Sequence, residues 1–315
     1  MEFEITAFDP RSIKENAFIL IFARRRSGKS FAVQRLIYEN RKNYDEVYLF
    51  SNTIDLQPKS EYGFIPDDHK YNKLDKEVIE DILETQQEQI QENLKKGGKK
   101  KKVDHILIIL DDIISDSTFL RRNSIIDKLA VQGRHSNISV IVLTQNFTGQ
   151  TGISPVMRKN SDYVMSFYQQ NINDLKKLSE QYLSLVDTKT GIQLLKDVTN
   201  DAYKMLVIEV TKTQARQYKD FVTFYKAPEI LPKFKIGKDE GVHRRCGAEG
   251  VLVNGTLSLD GRLIESSSSN TVNSGLNSER NFSERKIKRK PKQPLNVFTP
   301  SLFPLDIKIF DPNEK

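Results

Sequence analysis

Residues 17–31 read AFILIFARRRSGKSF: an apolar run feeds three arginines and then a Gly-Lys-Ser triplet. A phosphate-binding loop follows a buried strand and opens a helix, so that backbone N–H groups and the helix N-terminus surround the phosphates. Its pattern is Gly, four residues, then Gly-Lys-Ser/Thr. Here Ala23 stands where the first glycine is usual, followed by Arg24, Arg25, Arg26 and Ser27. Gly28 lets the backbone approach the phosphates, and Lys29 is placed to reach the β- and γ-phosphates. The Ser30 hydroxyl is placed to hold Mg²⁺, with Phe31 next on the helix. If the Ala23 position needs a left-handed backbone, alanine there costs about 1–2 kcal/mol. The arginines add positive charge where polyphosphate would sit.

Two further strand ends carry complementary groups. HILIILDDI, residues 105–113, is an apolar strand ending in Asp111 and Asp112. Carboxylates at the C-terminal end of such a strand lie at the crevice where α/β sheets bind ligands. Asp111 suits a water-mediated Mg²⁺ contact. Asp112 suits accepting a proton from an attacking water, or orienting that water. A helix-capping Asp-Asp turn accounts for one acid well and for the pair poorly. NISVIVLTQNF, residues 137–147, ends a strand in Thr144, Gln145 and Asn146. Gln145, on a strand expected between the loop strand and the acid strand, is placed to sense a γ-phosphate and position water. Arg134 and Arg158 are candidates for an arginine finger acting across a subunit boundary, with Arg134 preferred. Each is equally a residue type that makes surface ion pairs.

These residues need a sheet to align them. Apolar blocks give candidate strands at Phe18–Phe22, Val47–Ser51, Ile106–Leu110, Ile138–Thr144, Tyr163–Phe167, Met205–Val210 and Phe221–Tyr225. Several are continuous runs of Ile, Val and Leu, the composition of parallel strands covered on both faces. Helices are expected at Ser30–Asn43, Lys76–Leu94, Thr118–Val131, Ile172–Leu185 and Thr190–Asp197, and Arg158 is placed on a further short one. The fold class is α/β: a P-loop domain over residues 1–226, with a mainly parallel sheet flanked by helices.

The chain has 315 residues, 37% apolar and 29% charged, with net charge +7. That length buries a sizeable core, and the surplus of positive charge admits an anionic partner such as nucleic acid. One cysteine, Cys246, excludes an internal disulfide. No apolar run approaches the ~20 residues of a membrane helix, and no secretory signal pattern opens the sequence. The expectation is a soluble intracellular protein. The four histidines show no metal-ligand spacing, so His135 is read as structural. A Lys-rich insertion at 86–104 is either a solvated loop or a finger touching nucleic-acid backbone. Residues 227–315 form an extension: a small hairpin expected near 250–264, a Ser/Asn-rich linker, a basic cluster at 284–292 and a Pro-broken apolar tail that reads either as a docking peptide or as a disordered tail with no partner.

The segments ARRRSGKS, ILIILDD, GRHSNISVIVLTQNF and MRKNSDYV, in this order and spacing, resemble the genome-packaging ATPases of large double-stranded DNA viruses. These are the poxvirus-type enzymes of the FtsK–HerA superfamily, also carried by virophages and Maverick/Polinton elements. The resemblance spans roughly residues 10–226. It implies ATP and Mg²⁺ as cofactors, with Lys29 and Ser30 for nucleotide and metal, Asp111 and Asp112 for metal and catalysis, and Gln145 as sensor. Both GRHSNIS and MRKNSD match family-like segments, so the finger stays open between Arg134 and Arg158. It further implies a homo-oligomeric ring, a hexamer, that drives duplex DNA into a preformed capsid in the host cytoplasm or viral factory. The Lys-rich insertion and the tail beyond residue 227 match nothing in the family, and a capsid or internal-membrane contact through that tail would set packaging apart from other translocation. Another translocase or helicase of the superfamily would share every motif. A small-molecule P-loop kinase rarely pairs two strand-end acids with a glutamine. A non-catalytic DNA-binding protein would hardly keep Lys29, Ser30, Asp111, Asp112 and Gln145 together.

Overall fold

The apolar blocks form the middle of one sheet, and their alternation decides what covers it. The computed structural model describes residues 3–56, 61–95, 102–113, 125–145, 147, 153–230 and 232–236. In chain order these give β1 (Thr6–Ala7), β2 (Phe18–Phe22), α1 (Lys29–Asn40), β3 (Glu46–Ser51), β4 (Lys70–Tyr71), α2 (Lys76–Lys95) and β5 (Ile106–Asp111). There follow α3 (Ile125–Gln132), β6 (Ile138–Thr144), α4 (Pro155–Asn160), β7 (Tyr163–Ser166), α5 (Ile172–Tyr182), α6 (Thr188–Val198), β8 (Lys204–Glu209) and β9 (Val222–Lys226). Among the described residues these strands form one sheet of order β1-β9-β8-β7-β2-β6-β5-β3-β4. β7–β8 and β8–β9 are antiparallel, and every other neighbouring pair is parallel. The α/β, mainly parallel architecture read from the sequence is the one observed.

Successive side chains on a strand point to opposite faces. On β2, Phe18, Leu20 and Phe22 enter one core, and Ile19 and Ile21 the other. The first core is closed by apolar faces of α2 through α6: Ile79 and Leu83, Ile126 and Leu129, Met157, Leu178, and Leu194. On the second face α1 contributes Val33, Leu36 and Ile37, and further cover comes from Tyr44, Tyr62, Phe64, Ile65 and Ile236. Each fully buried Leu or Ile contributes about 1.5–3 kcal/mol, so neither face tolerates a register slip.

Boundaries shift where polar side chains capture backbone groups. α1 stops at Asn40, short of the expected Asn43, because the Asn40 amide donates to the carbonyls of Leu36 and Pro10, 2.9 Å each. α6 starts two residues ahead of the expected Thr190, because the Asp187 carboxylate accepts from the Thr190 N–H at 3.0 Å. Those Thr190 bonds also hold the Asp187 carboxyl below its usual range. α5 ends at Tyr182, not Leu185. β3, β5 and β7 differ from expectation by one residue at one end, and β8 and β9 by one residue at both ends. The two-residue strands β1 and β4 are too short for any periodic signal. Packing also continues past the expected domain end at 226, with Ile236 buried and its N–H donating to the Phe64 carbonyl at 3.2 Å. Residues 118–124 of the expected Thr118 helix, the lysines at 96 and 99–101, Cys246, and the hairpin, linker, basic cluster and tail lie outside the described residues.

Candidate functional site

Register brings three strand ends level. Phe22 pairs with Thr144, Asp111 pairs with Leu143, and the Ala23 N–H donates to the Thr144 carbonyl at 2.9 Å. β6 lies between β2 and β5, as expected of the strand bearing Gln145. The loop after β2, the acids after β5 and the amide after β6 therefore meet at the C-terminal edge of the parallel strands, where such sheets bind ligands.

In the loop, Ala23 is fully buried in the second core, and its φ lies outside the left-handed region. The alanine penalty considered above does not arise. Left-handed backbone falls instead at Arg26 (φ 62°) and Gly28 (φ 85°). Gly28 precedes α1 without a side-chain cap, which leaves the first N–H groups of the helix directed at the loop. A Cβ at Gly28 would also lie 2.6 Å from Cδ1 of Tyr203. The Ser27 hydroxyl is buried and has no hydrogen-bond partner. Arg24, Arg25 and Arg26 are exposed. Ser30 and Phe31 are half-buried in the first turn of α1.

Lys29 Nζ donates to Asp111 Oδ1 at 2.6 Å, and the Tyr62 hydroxyl donates to Asp111 Oδ2 at 2.8 Å. Asp111 is 1% exposed, so these bonds compensate a carboxylate cut off from water. Burial raises the Tyr62 hydroxyl well above its ordinary pKa, and the Asp111 charge adds to this, so Tyr62 stays protonated and donating. Asp112 takes a left-handed backbone, φ 55°, and its side chain has a different partner from that of Asp111. Backbone of this kind costs on the order of 1–3 kcal/mol and gathers at functional sites. Gln145 Nε2 then donates to both Asp112 oxygens, at 3.0 and 3.2 Å. The two acids thus separate: one buried between a cation and a phenol, one half-buried under an amide.

The structure brings Lys29, Asp111, Asp112 and Gln145 together, and among the described residues no hydrogen bond or ion pair joins either arginine to them. Arg134 is exposed in the turn before β6, its Nε 3.1 Å from His135 Nε2. The seven residues of β6 put about 23 Å between that end and Gln145. Arg158 sits on α4 with its guanidinium 5.3 Å from the Phe147 ring centre, and its Nε is buried without a hydrogen-bond partner.

Sequence reasoning missed Tyr62 and a pocket beside the loop. The pocket, of about 460 Å³, lies between Arg24–Ser27, Tyr168 and the turn carrying Tyr203. The aromatics of EYGFIP, residues 61–66, signal packing inside a Gly- and Pro-broken stretch, but nothing in the sequence names Asp111 as the partner.

A family model for the poxvirus A32 protein matches residues 5–223, a span that contains every one of these groups. The chain belongs to the poxvirus A32 family. This is the family to which the motif resemblance pointed. Among viral relatives, the A32-family chain is 25% identical over 245 residues to uncharacterized protein L437 of Acanthamoeba polyphaga mimivirus, covering 78% of this chain and 84% of that one. It is 24% identical over 238 residues to uncharacterized protein 088R of Invertebrate iridescent virus 3, covering 73% and 84%. Among solved structures, it resembles the genome packaging NTPase B204 of Sulfolobus turreted icosahedral virus 2 in complex with ATP-gammaS, at 15% identity and TM-score 0.47, over 70% of this chain and 98% of that one. Among the described residues no helix is long and apolar enough to cross a membrane.

Proposed function

We propose that this A32-family chain is a DNA-moving ATPase that packages a viral or virus-like genome into a preformed capsid. The observation that carries the proposal is the division of labour between adjacent acids: Asp111 held by Lys29 and Tyr62, Asp112 held by Gln145.

ATP fits the loop. The uncapped α1 N-terminus and the partnerless Ser27 hydroxyl supply donors for phosphate oxygens. Lys29 is paired with Asp111, and a polyphosphate competes with that carboxylate for its charge. The pocket flanked by Tyr168 and Tyr203 has aromatic walls suited to a nucleobase. Ser30 and Asp111 are the small oxygen donor set that suits Mg²⁺, which takes its other ligands from phosphate and water. Bound there, Mg²⁺ supplies charge neutralisation on the transferring phosphoryl group. Asp112 accepts a proton from the attacking water, and Gln145 holds Asp112 and that water in register.

An arginine finger completes such a site from a neighbouring copy in a ring. Arg134 is exposed and far from its own strand-end cluster, which suits a residue serving another subunit. Arg158 is half-buried against Phe147 and is less free to reach out. The net charge of +7 and the exposed basic residues suit a duplex DNA partner.

The test is Asp112→Asn, assayed for ATP binding by calorimetry and for turnover. Binding is expected to stay within about twofold of wild type, while hydrolysis falls about a hundredfold or more. Near-normal turnover would remove Asp112 from the mechanism.

A further inference from the structure

Asp111 has two protein partners, and nucleotide binding takes one of them elsewhere. Lys29 Nζ must approach phosphate to neutralise it, whereas the Tyr62 hydroxyl, among the described residues, donates to Asp111 Oδ2 alone. A carboxylate that is 1% exposed and loses its cation still needs a donor to fix its plane. From this geometry we infer that Tyr62 is the positioning residue for Asp111, and that residues 232–236 set it by clasping the Tyr62 segment against α1. The inference rests on the ATPase reading above.

The clasp is built from rings and backbone. Tyr62, Phe64 and Ile65 are each at most 5% exposed, and the Ile65 N–H donates to the Tyr62 carbonyl at 3.1 Å, closing a turn. Phe234 stacks on Phe64, centroids 4.6 Å apart and planes 20° apart, and meets the edge of Tyr38 on α1 at 5.3 Å. The Ile236 N–H donates to the Phe64 carbonyl at 3.2 Å. α1 is the helix that opens at the phosphate loop, so one aromatic stack ties the loop helix, the Tyr62 segment and the chain beyond β9 together. Without that stack, residues 61–65 have no strand or helix of their own to hold Tyr62 over Asp111. The segment after β9 thereby reaches Asp111 through Phe234, Phe64 and Tyr62, a route by which whatever engages the chain beyond residue 236 can act on turnover.

The experiment compares Tyr62→Phe and Phe234→Ala with wild type in the full chain. Two quantities are read: kcat and KM for ATP hydrolysis, and ATP affinity by calorimetry in EDTA and in Mg²⁺. Tyr62→Phe keeps the ring and its packing while deleting the hydroxyl. It is expected to lower kcat about tenfold, leave affinity in EDTA unchanged, and shrink the gain in affinity that Mg²⁺ gives. Phe234→Ala is expected to shift both quantities in the same direction, with Phe234→Tyr restoring them. Tyr163→Phe is the control, because it deletes a buried hydroxyl that accepts from Lys14 N–H and donates to the Ser12 carbonyl, 3.2 Å each, at the far end of β7. It is expected to leave both quantities at wild-type values. A Tyr62→Phe protein with wild-type kcat and Mg²⁺ response, or one matched by Tyr163→Phe, overturns the role of Tyr62. Normal values for Phe234→Ala beside a defective Tyr62→Phe overturn the clasp. A wild-type protein that neither binds nor hydrolyses ATP overturns the ATPase reading itself, and this inference with it.

Discussion

Ala23 departs from the usual phosphate loop, and the backbone explains why the departure is harmless. A glycine is needed where φ is positive or where another group must come close. Ala23 meets neither condition: it packs its methyl into the core, and the left-handed turns fall at Arg26 and Gly28. Ala23→Gly is therefore expected to leave ATP affinity unchanged while lowering stability by about 1 kcal/mol, through lost burial and added chain freedom. Calorimetry and denaturant unfolding separate the two effects, and a gain in affinity would show that the loop is strained after all. Gly28, Lys29 and the acid pair were legible in the sequence because phosphate and metal chemistry tolerate few alternatives. Tyr62 was not, since it lies in an aperiodic stretch and its partner is 49 residues away.

Strands were legible because blocks buried on both faces have one composition, whatever their neighbours. Strand order was less so, and the antiparallel β7–β8–β9 edge has no local signature. Helix ends depended on single captures by Asn40 and Asp187 that periodicity does not see. The α5–α6 pair shows how tightly one contact can be set: a Cβ at Gly191 would lie 2.0 Å from the Ser179 hydroxyl oxygen and 3.1 Å from its Cβ. Gly191→Ala is expected to cost about 1–3 kcal/mol by overpacking. The expected companion result is that Ser179→Gly in the same chain recovers most of the loss, measured by denaturant midpoint. Additive losses would mean that the helices separate to admit the methyl group.

At the scale of the molecule, five helices cover one face of the sheet, and on the other α1 shares the work with the Tyr62 segment and Ile236. The lighter face carries the phosphate loop and the residues that fix Asp111. Composition alone did not anticipate this, because residues 227–236 read as the start of an extension, whereas Phe234 and Ile236 pack against the segment that carries Tyr62. The opposite end of the strands presents Arg134 to solvent. Under the function proposed above, this molecule is a motor whose chemistry answers to DNA. The most direct measurement is ATP turnover by the wild-type chain with and without linear duplex DNA, beside Lys29→Ala, with folding of the variant checked because its change leaves Asp111 buried with Tyr62 alone. Turnover that rises with duplex DNA and disappears in Lys29→Ala is the predicted result. Turnover that ignores DNA, or survives loss of Lys29, would contradict the account.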